Sequence, residues 1–326
     1  MTPPPPPPPT VTDVYVAGYE FNGTKYVAKI WKNGVATALS NGANSAVAES
    51  VAVSGNDVYV AGYESDGVGG VSVAKVWKNG VATALTDGTK SSAAYSIVVS
   101  GSDVYVAGYE RTGGVGTPYG AKSWKNGIAA FATDGSKSAS SYGAAVSGNN
   151  QYMTGYESNG SFDVAKVWKD GIPTSLSDGT NAAYGYSVLV SGNNVYVAGQ
   201  ERINTTYVAK TWKNGIATSL TDGTNYAYAW GLALSGNDLY AAGVERNAAG
   251  KNIAKVWKNG VATSLSDGSQ SASAYAMAVS GSDVYVAGYE SNGTKSVAKM
   301  WKNGVATSFT DGTNNAYAEG IFVHVH

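Results

Sequence analysis

Residues 316–326, AYAEGIFVHVH, close the chain and reproduce the opening of a unit that has already appeared six times. In AVAESVAVSGN (46–56) and AYAMAVSGSDV (274–284) the same kind of strand runs through a Ser-Gly turn into a second strand, but here that second strand never comes. The chain begins the other way round: its first full strand, TDVYVAGYE (12–20), is a second strand with no first strand ahead of it. Two incomplete pieces that complement each other predict that the ends meet. Ile321, Phe322 and Val323 should pair beside Val14, Tyr15 and Val16, and His324-Val325-His326 should run on where other copies turn, leaving no open sheet edge at the seam.

Between the fragments lies a repeat. The Trp of WKNG or WKDG recurs at Trp31, Trp77, Trp124, Trp168, Trp212, Trp257 and Trp301, at spacings of 46, 47, 44, 44, 45 and 44 residues, the period of propeller blades. One copy, YAMAVSGSDVYVAGYESNGTKSVAKMWKNGVATSFTDGT (275–313), divides into strands a (YAMAVSG), b (DVYVAGYE), c (SVAKMWK) and d (VATSF). Asn303-Gly304 is the dipeptide of a two-residue type I′ hairpin between c and d, and Asp170-Gly171 takes its place in the fourth copy. Pro173 falls inside a strand d, and proline is confined to sheet edges, so d is outermost and a lines the axis. The expected fold is all-β: a seven-bladed β-propeller of four antiparallel strands per blade, the first blade closed by the C-terminal strand. A solenoid would need polar capping repeats, which are absent.

The chain resembles the broad β-propeller class over residues 11–323, and within it propellers with recently amplified, near-identical blades. It lacks the WD40 pattern, since strand c ends in Trp-Lys and Gly-His is missing, and it lacks kelch double-glycine and sialidase Asp-box signatures. The resemblance therefore implies a fold and no particular activity.

Composition narrows the function classes. The 326 residues contain no Cys, so disulfides, thiolate metal sites and a Cys nucleophile are excluded. Net charge is -1, and 14 of the 22 Lys and Arg belong to two Lys positions present in every repeat, so no basic patch offers itself to nucleic acid. No apolar run approaches membrane-spanning length. Pro3–Pro9 predict a stiff polyproline II spacer over residues 1–10, ahead of a single propeller domain at 11–326, expected to be monomeric. An initiator Met directly against such a spacer favours a secreted or cell-surface location.

Constant positions are read first as structure. Glu20, Glu64, Glu110, Glu157, Glu201, Glu245 and Glu290 end strand b, and Lys29, Lys75, Lys122, Lys166, Lys210, Lys255 and Lys299 lie in strand c. A two-residue turn at Asn292-Gly293 would oppose Glu290 to Lys295, Gly288 to Val297, Val286 to Lys299 and Val284 to Trp301. That register puts all eight on one face and suggests a partly buried Glu–Lys pair between blades, with Gly288 leaving room for Lys299. A ligand site repeated in every blade is the competing reading. The tryptophans, opposite small residues such as Ala306, are expected to pack between blades, with sugar stacking as the alternative. The Asp of TDGTN is a turn former, with calcium ligation as the alternative. No metal or cofactor site is expected, since the terminal His pair is too small for one.

Variation is the better guide to function. Only the b-to-c loop changes length: from the strand b Glu to the strand c Trp the copies span 11, 13, 14, 11, 11, 12 and 11 residues. A second variable position lies near the start of strand a: Glu319, Glu49, Tyr95, Tyr142, Tyr186, Trp230 and Tyr275. These seven are the candidate ligand-binding residues, an aromatic channel mouth broken by two acids that closure places on adjacent blades. The bland alternative is that the tyrosines fill space and the acids are solvated. No catalytic residue is assigned. The leading expectation is a non-enzymatic propeller that binds carbohydrate or protein through this mouth and the b-to-c and d-to-a loops. A purely structural or display module on a proline stalk is the second, and a carbohydrate-active enzyme using the paired carboxylates the third.

Overall fold

The computed structural model describes residues 11–65 and 70–326; the proline-rich segment 1–10 and part of the second b-to-c loop lie outside them. The chain forms seven four-stranded antiparallel sheets, each ordered a-b-c-d, arranged as the blades of a propeller. In blade 1, strands b, c and d are Thr12–Phe21, Tyr26–Lys32 and Val35–Ala38, while strand a is Ala316–Val325 from the other end of the chain. Val14 pairs with Val323, Tyr15 with Phe322 and Val16 with Ile321, as the two fragments required. Pairing continues through His324 against Asp13, and Val11 and His326 exchange both backbone hydrogen bonds, at 2.8 and 3.0 Å.

The hairpins follow from local chemistry. Each c-to-d turn places its first residue at positive φ, 52° at Asn303 and 50° at Asp170, where Asn and Asp are tolerated and the following Gly completes the type I′ geometry. The Asn side chain also holds strand b: Asn303 Oδ1 accepts from Val284 N at 2.8 Å and its Nδ2 donates to Asp283 at 2.7 Å. Pro173 sits in the edge strand d of blade 4.

The b-to-c register differs from the expected one by two residues. Asn292–Lys295 form the connection, so Glu290 pairs with Val297, Gly288 with Lys299 and Val286 with Trp301. A slip of two preserves which face each side chain occupies, so the shared face survives, but two details change. The Glu–Lys pair is made inside each blade, diagonally across strands b and c, and not between blades: Lys29 reaches Glu20 and Lys122 reaches Glu110, with Lys166 to Glu157 at 3.0 Å. The constant Gly also has a different reason. A Cβ on Gly288 would collide with the carbonyl oxygen of Ser273 in strand a, and Gly18 has the same conflict with Tyr317. Gly288→Ala should therefore cost about 2–3 kcal/mol in a denaturant unfolding measurement, because the obstacle is backbone that cannot rotate away.

Blades pack by inserting a large ring into a bed of alanines. Trp31 of blade 1 lies against Ala287 and Ala298 of blade 7 and stacks on Phe309 at 5.5 Å. Trp301 of blade 7 lies against Ala242 and Ala254 of blade 6. All seven repeat tryptophans are 0–1% exposed, which leaves no face open for a sugar. The d-to-a Asp is a turn former: Asp87 Oδ1 accepts from the backbone N and hydroxyl of Thr89 at 2.9 and 2.7 Å, and Asp311 does the same with Thr313. The b-to-c and d-to-a loops share one face, where Asn159 and Asn292 donate to the carbonyls of Gly179 and Gly312 at 2.9 and 3.0 Å.

Candidate functional site

Every strand a carries a β-bulge, and in each case the extra, unpaired residue is the variable one. In blade 1 the pairing passes from Ala318 opposite Gly18 to Gly320 opposite Ala17, skipping Glu319. The same shift skips Glu49, Tyr95, Tyr142, Tyr186, Trp230 and Tyr275 in the other blades. A bulge re-aims one side chain out of the ladder, and seven of them around an axis aim seven side chains inward. They meet in one cavity of about 360 Å³ that all seven line. Glu319 is the fourth residue of a strand that begins at Ala316. Directly after each bulge stands a small residue, among them Gly320, Ser50, Gly143 and Gly231, where neighbouring inner strands come close. A Cβ on Gly320 would lie 2.7 Å from the carbonyl oxygen of Glu49, and one on Gly143 2.8 Å from that of Tyr186.

Aromatic rings run round most of the wall. Tyr95 and Tyr142 are 5.3 Å apart between centroids, Tyr142 and Tyr186 5.4 Å, and Trp230 and Tyr275 5.1 Å edge to face. Sequence reasoning missed the second tier behind them. Strand b contributes Tyr109, Tyr156 and Tyr289 at 5.8, 6.0 and 5.8 Å from the bulge tyrosines of their own blades. These belong to the repeated GYE segment and looked like constant structure. The available signal was the exception at that position, Gln200 in blade 5 and Val244 in blade 6, the latter in the blade where Trp230 fills the bulge.

The remaining arc holds the acids. Closure sets Glu319 of blade 1 next to Glu49 of blade 2, and both are surrounded by protein while staying partly open to the cavity. Both carboxylates are half-buried. Burial pushes Glu49 up to about 7, and burial together with the neighbouring Glu49 charge pushes Glu319 well above the usual carboxylate range, against a hydrogen bond from Tyr19 that pulls it down. No Lys or Arg acts on either group.

Raised acid pKa values make the folded state bind more protons than the unfolded chain above about pH 4.5, so stability falls as pH rises from there through the folded values. The Glu49→Gln/Glu319→Gln protein should lose that slope and be more stable than wild type at pH 8 by on the order of 3 kcal/mol, as read by thermal unfolding at pH 5 and pH 8.

Among the described residues no group of three or more His, Cys, Asp or Glu side chains is placed to hold a metal ion, and no helix is long and apolar enough to cross a membrane. No family model and no curated protein matches the chain. Among solved structures it is similar to an acylaminoacyl peptidase from Pyrococcus horikoshii at 12% identity and a TM-score of 0.56, covering 92% of this chain and 51% of that one. The chain thus spans about half the length of that peptidase, and the likeness is one of propeller fold.

Proposed function

We propose that this propeller is a non-catalytic recognition module whose binding site is the central channel at the level of the seven bulges. The observation that carries the reading is the coincidence of three features at one position: it is where the repeats differ, where strand a bulges, and where the cavity is lined. The constant residues of each blade are spent on packing, hairpins and ion pairs. The cavity volume falls in the range of small-molecule sites, about 300–1,000 Å³, and suits a sugar residue or a side chain presented by a protein.

A glycan and peptide array probed with wild type and Trp230→Ala tests this: binders lost on removing the indole support the channel, and retention of every binder by Trp230→Ala contradicts it. A second reading, a hydrolase, is favoured by one observation, the two adjacent carboxylates held at raised pKa. For that reading, turnover that survives both Glu49→Gln and Glu319→Gln would exclude the pair as catalytic.

A further inference from the structure

The chemical class of the channel ligand follows from the charge of its wall. Reading round the ring, two carboxylates on adjacent blades are followed by Tyr95, Tyr142, Tyr186, Trp230 and Tyr275, which returns to Glu319. Sevenfold geometry puts Tyr186, in blade 5, across the channel from the carboxylates. Among the described residues the acids stand without a counter-ion. The repeated lysines of the same two blades, Lys29 and Lys75, are committed to Glu20 and Glu64. Glu49 accepts no hydrogen bond from any described residue although protein surrounds it, and its carboxyl borders the cavity. Among the described residues, Tyr19 is the side chain whose hydrogen bonding holds the Glu319 carboxyl down. Facing them from neighbouring strands are Tyr19, Tyr63, Tyr95 and Tyr275, whose hydroxyls are themselves driven toward the neutral form by burial and by the two acids.

A buried negative charge must be neutralised by a proton or by a cation. The π faces on the rest of the wall attract the same sign of charge, since the aromatic quadrupole presents its negative face to a cation. Carboxylates and aromatic rings therefore select together. An anion would be repelled by the carboxylates, and a neutral ligand would gain nothing from their charge.

We infer that the channel binds a small organic cation, an ammonium group bearing alkyl substituents, with its charge against Glu49 and Glu319 and its alkyl groups against Tyr142, Tyr186 and Trp230. The inference rests on the proposed channel-recognition function and specifies its ligand. Because the carboxylate pair resists double ionisation, the site takes a monocation near neutral pH, and binding tightens as the pair loses its proton.

Titration calorimetry on the full chain with choline, and with its neutral isostere 3,3-dimethyl-1-butanol, tests the inference. Choline should bind at least about tenfold more tightly than the isostere at pH 8 and about tenfold more tightly at pH 8 than at pH 5.5. Glu49→Gln/Glu319→Gln should abolish that preference while retaining a cooperative unfolding transition. Trp230→Leu should weaken choline with the two acids intact, which separates the aromatic wall from simple charge attraction. Equal affinity for the two probes, or no heat from choline at pH 8, overturns the inference. Array binders that are neutral and lost in Trp230→Ala would in that event leave channel recognition standing, whereas the absence of any channel-dependent binder would remove both.

Discussion

Deleting residues 319–326 should abolish cooperative folding of the ring, rather than merely fray one blade. The deletion removes the paired length of strand a from Gly320 onward, including Ile321, Phe322 and Val323, and exposes the edge of strand b in blade 1. It also uncovers the bed on which neighbouring blades rest, since Phe322 packs on the cluster that joins Tyr15 to Val53 and Trp77 of blade 2, and Ile321 on the cluster that joins Val16 and Trp31 to Ala287 and Ala298 of blade 7. A domain of this kind holds about 5–15 kcal/mol of net stability, and the loss of a closing strand and two interblade contacts is of that size. Circular dichroism during thermal unfolding is the measurement. A broad, early melt is expected, and a sharp transition at the wild-type temperature would contradict closure by this strand.

The second large effect concerns the ion pairs. Lys122 and Glu110 form the most enclosed of the seven, with side chains 9% and 11% exposed, because Phe131 opposite Lys122 places its ring 4.6 Å from the Nζ. Lys122→Met leaves the Glu110 carboxylate in that enclosure with no cation and should destabilise the protein by about 3–5 kcal/mol. Adding Glu110→Gln should recover most of the loss, because the double variant no longer buries an uncompensated charge. Urea unfolding of the two variants distinguishes this account from one in which Lys122 matters for its packing: in the packing account the second substitution brings no recovery.

Much of the fold was legible in the residues themselves. Period, hairpin dipeptides and the split repeat led to seven blades, a d edge at Pro173 and the pairing of Val14 with Val323, because each rests on local rules that tertiary contacts do not override. The b-to-c register was not legible. Asn292-Gly293 reads as a two-residue turn, whereas Asn292 Oδ1 instead accepts from the backbone of Thr294 and Lys295 at 3.0 and 2.9 Å and organises a four-residue connection. An Asn-Gly pair specifies a tight hairpin only when its side chain does not build a wider turn.

The site was half legible. Variation singled out Glu319, Glu49 and the five aromatics, and closure put the two acids on adjacent blades. The bulge that turns these side chains inward was hidden, because an unpaired residue is defined by the partner strand and not by its own type. Its one trace was the constant Gly at positions such as Gly18 and Gly288, needed where the carbonyl two residues before the bulge presses against strand b. The burial of Glu49 and Glu319 was likewise out of reach, since it arises from seven chain segments that converge only in the ring.

Carbon-13 NMR titration of the glutamate side-chain carboxyls bears most directly on the claim that closure brings two acids together in one cavity. Two resonances, assigned by their absence in Glu49→Gln and Glu319→Gln, should titrate far from the rest, Glu49 at about 7 and Glu319 well above the ordinary carboxylate range. Neutralising Glu49 should shift Glu319 back toward the ordinary range. If Glu49 and Glu319 both titrate near the ordinary value of about 4.3, each indifferent to loss of the other, then the two carboxylates do not share a buried channel.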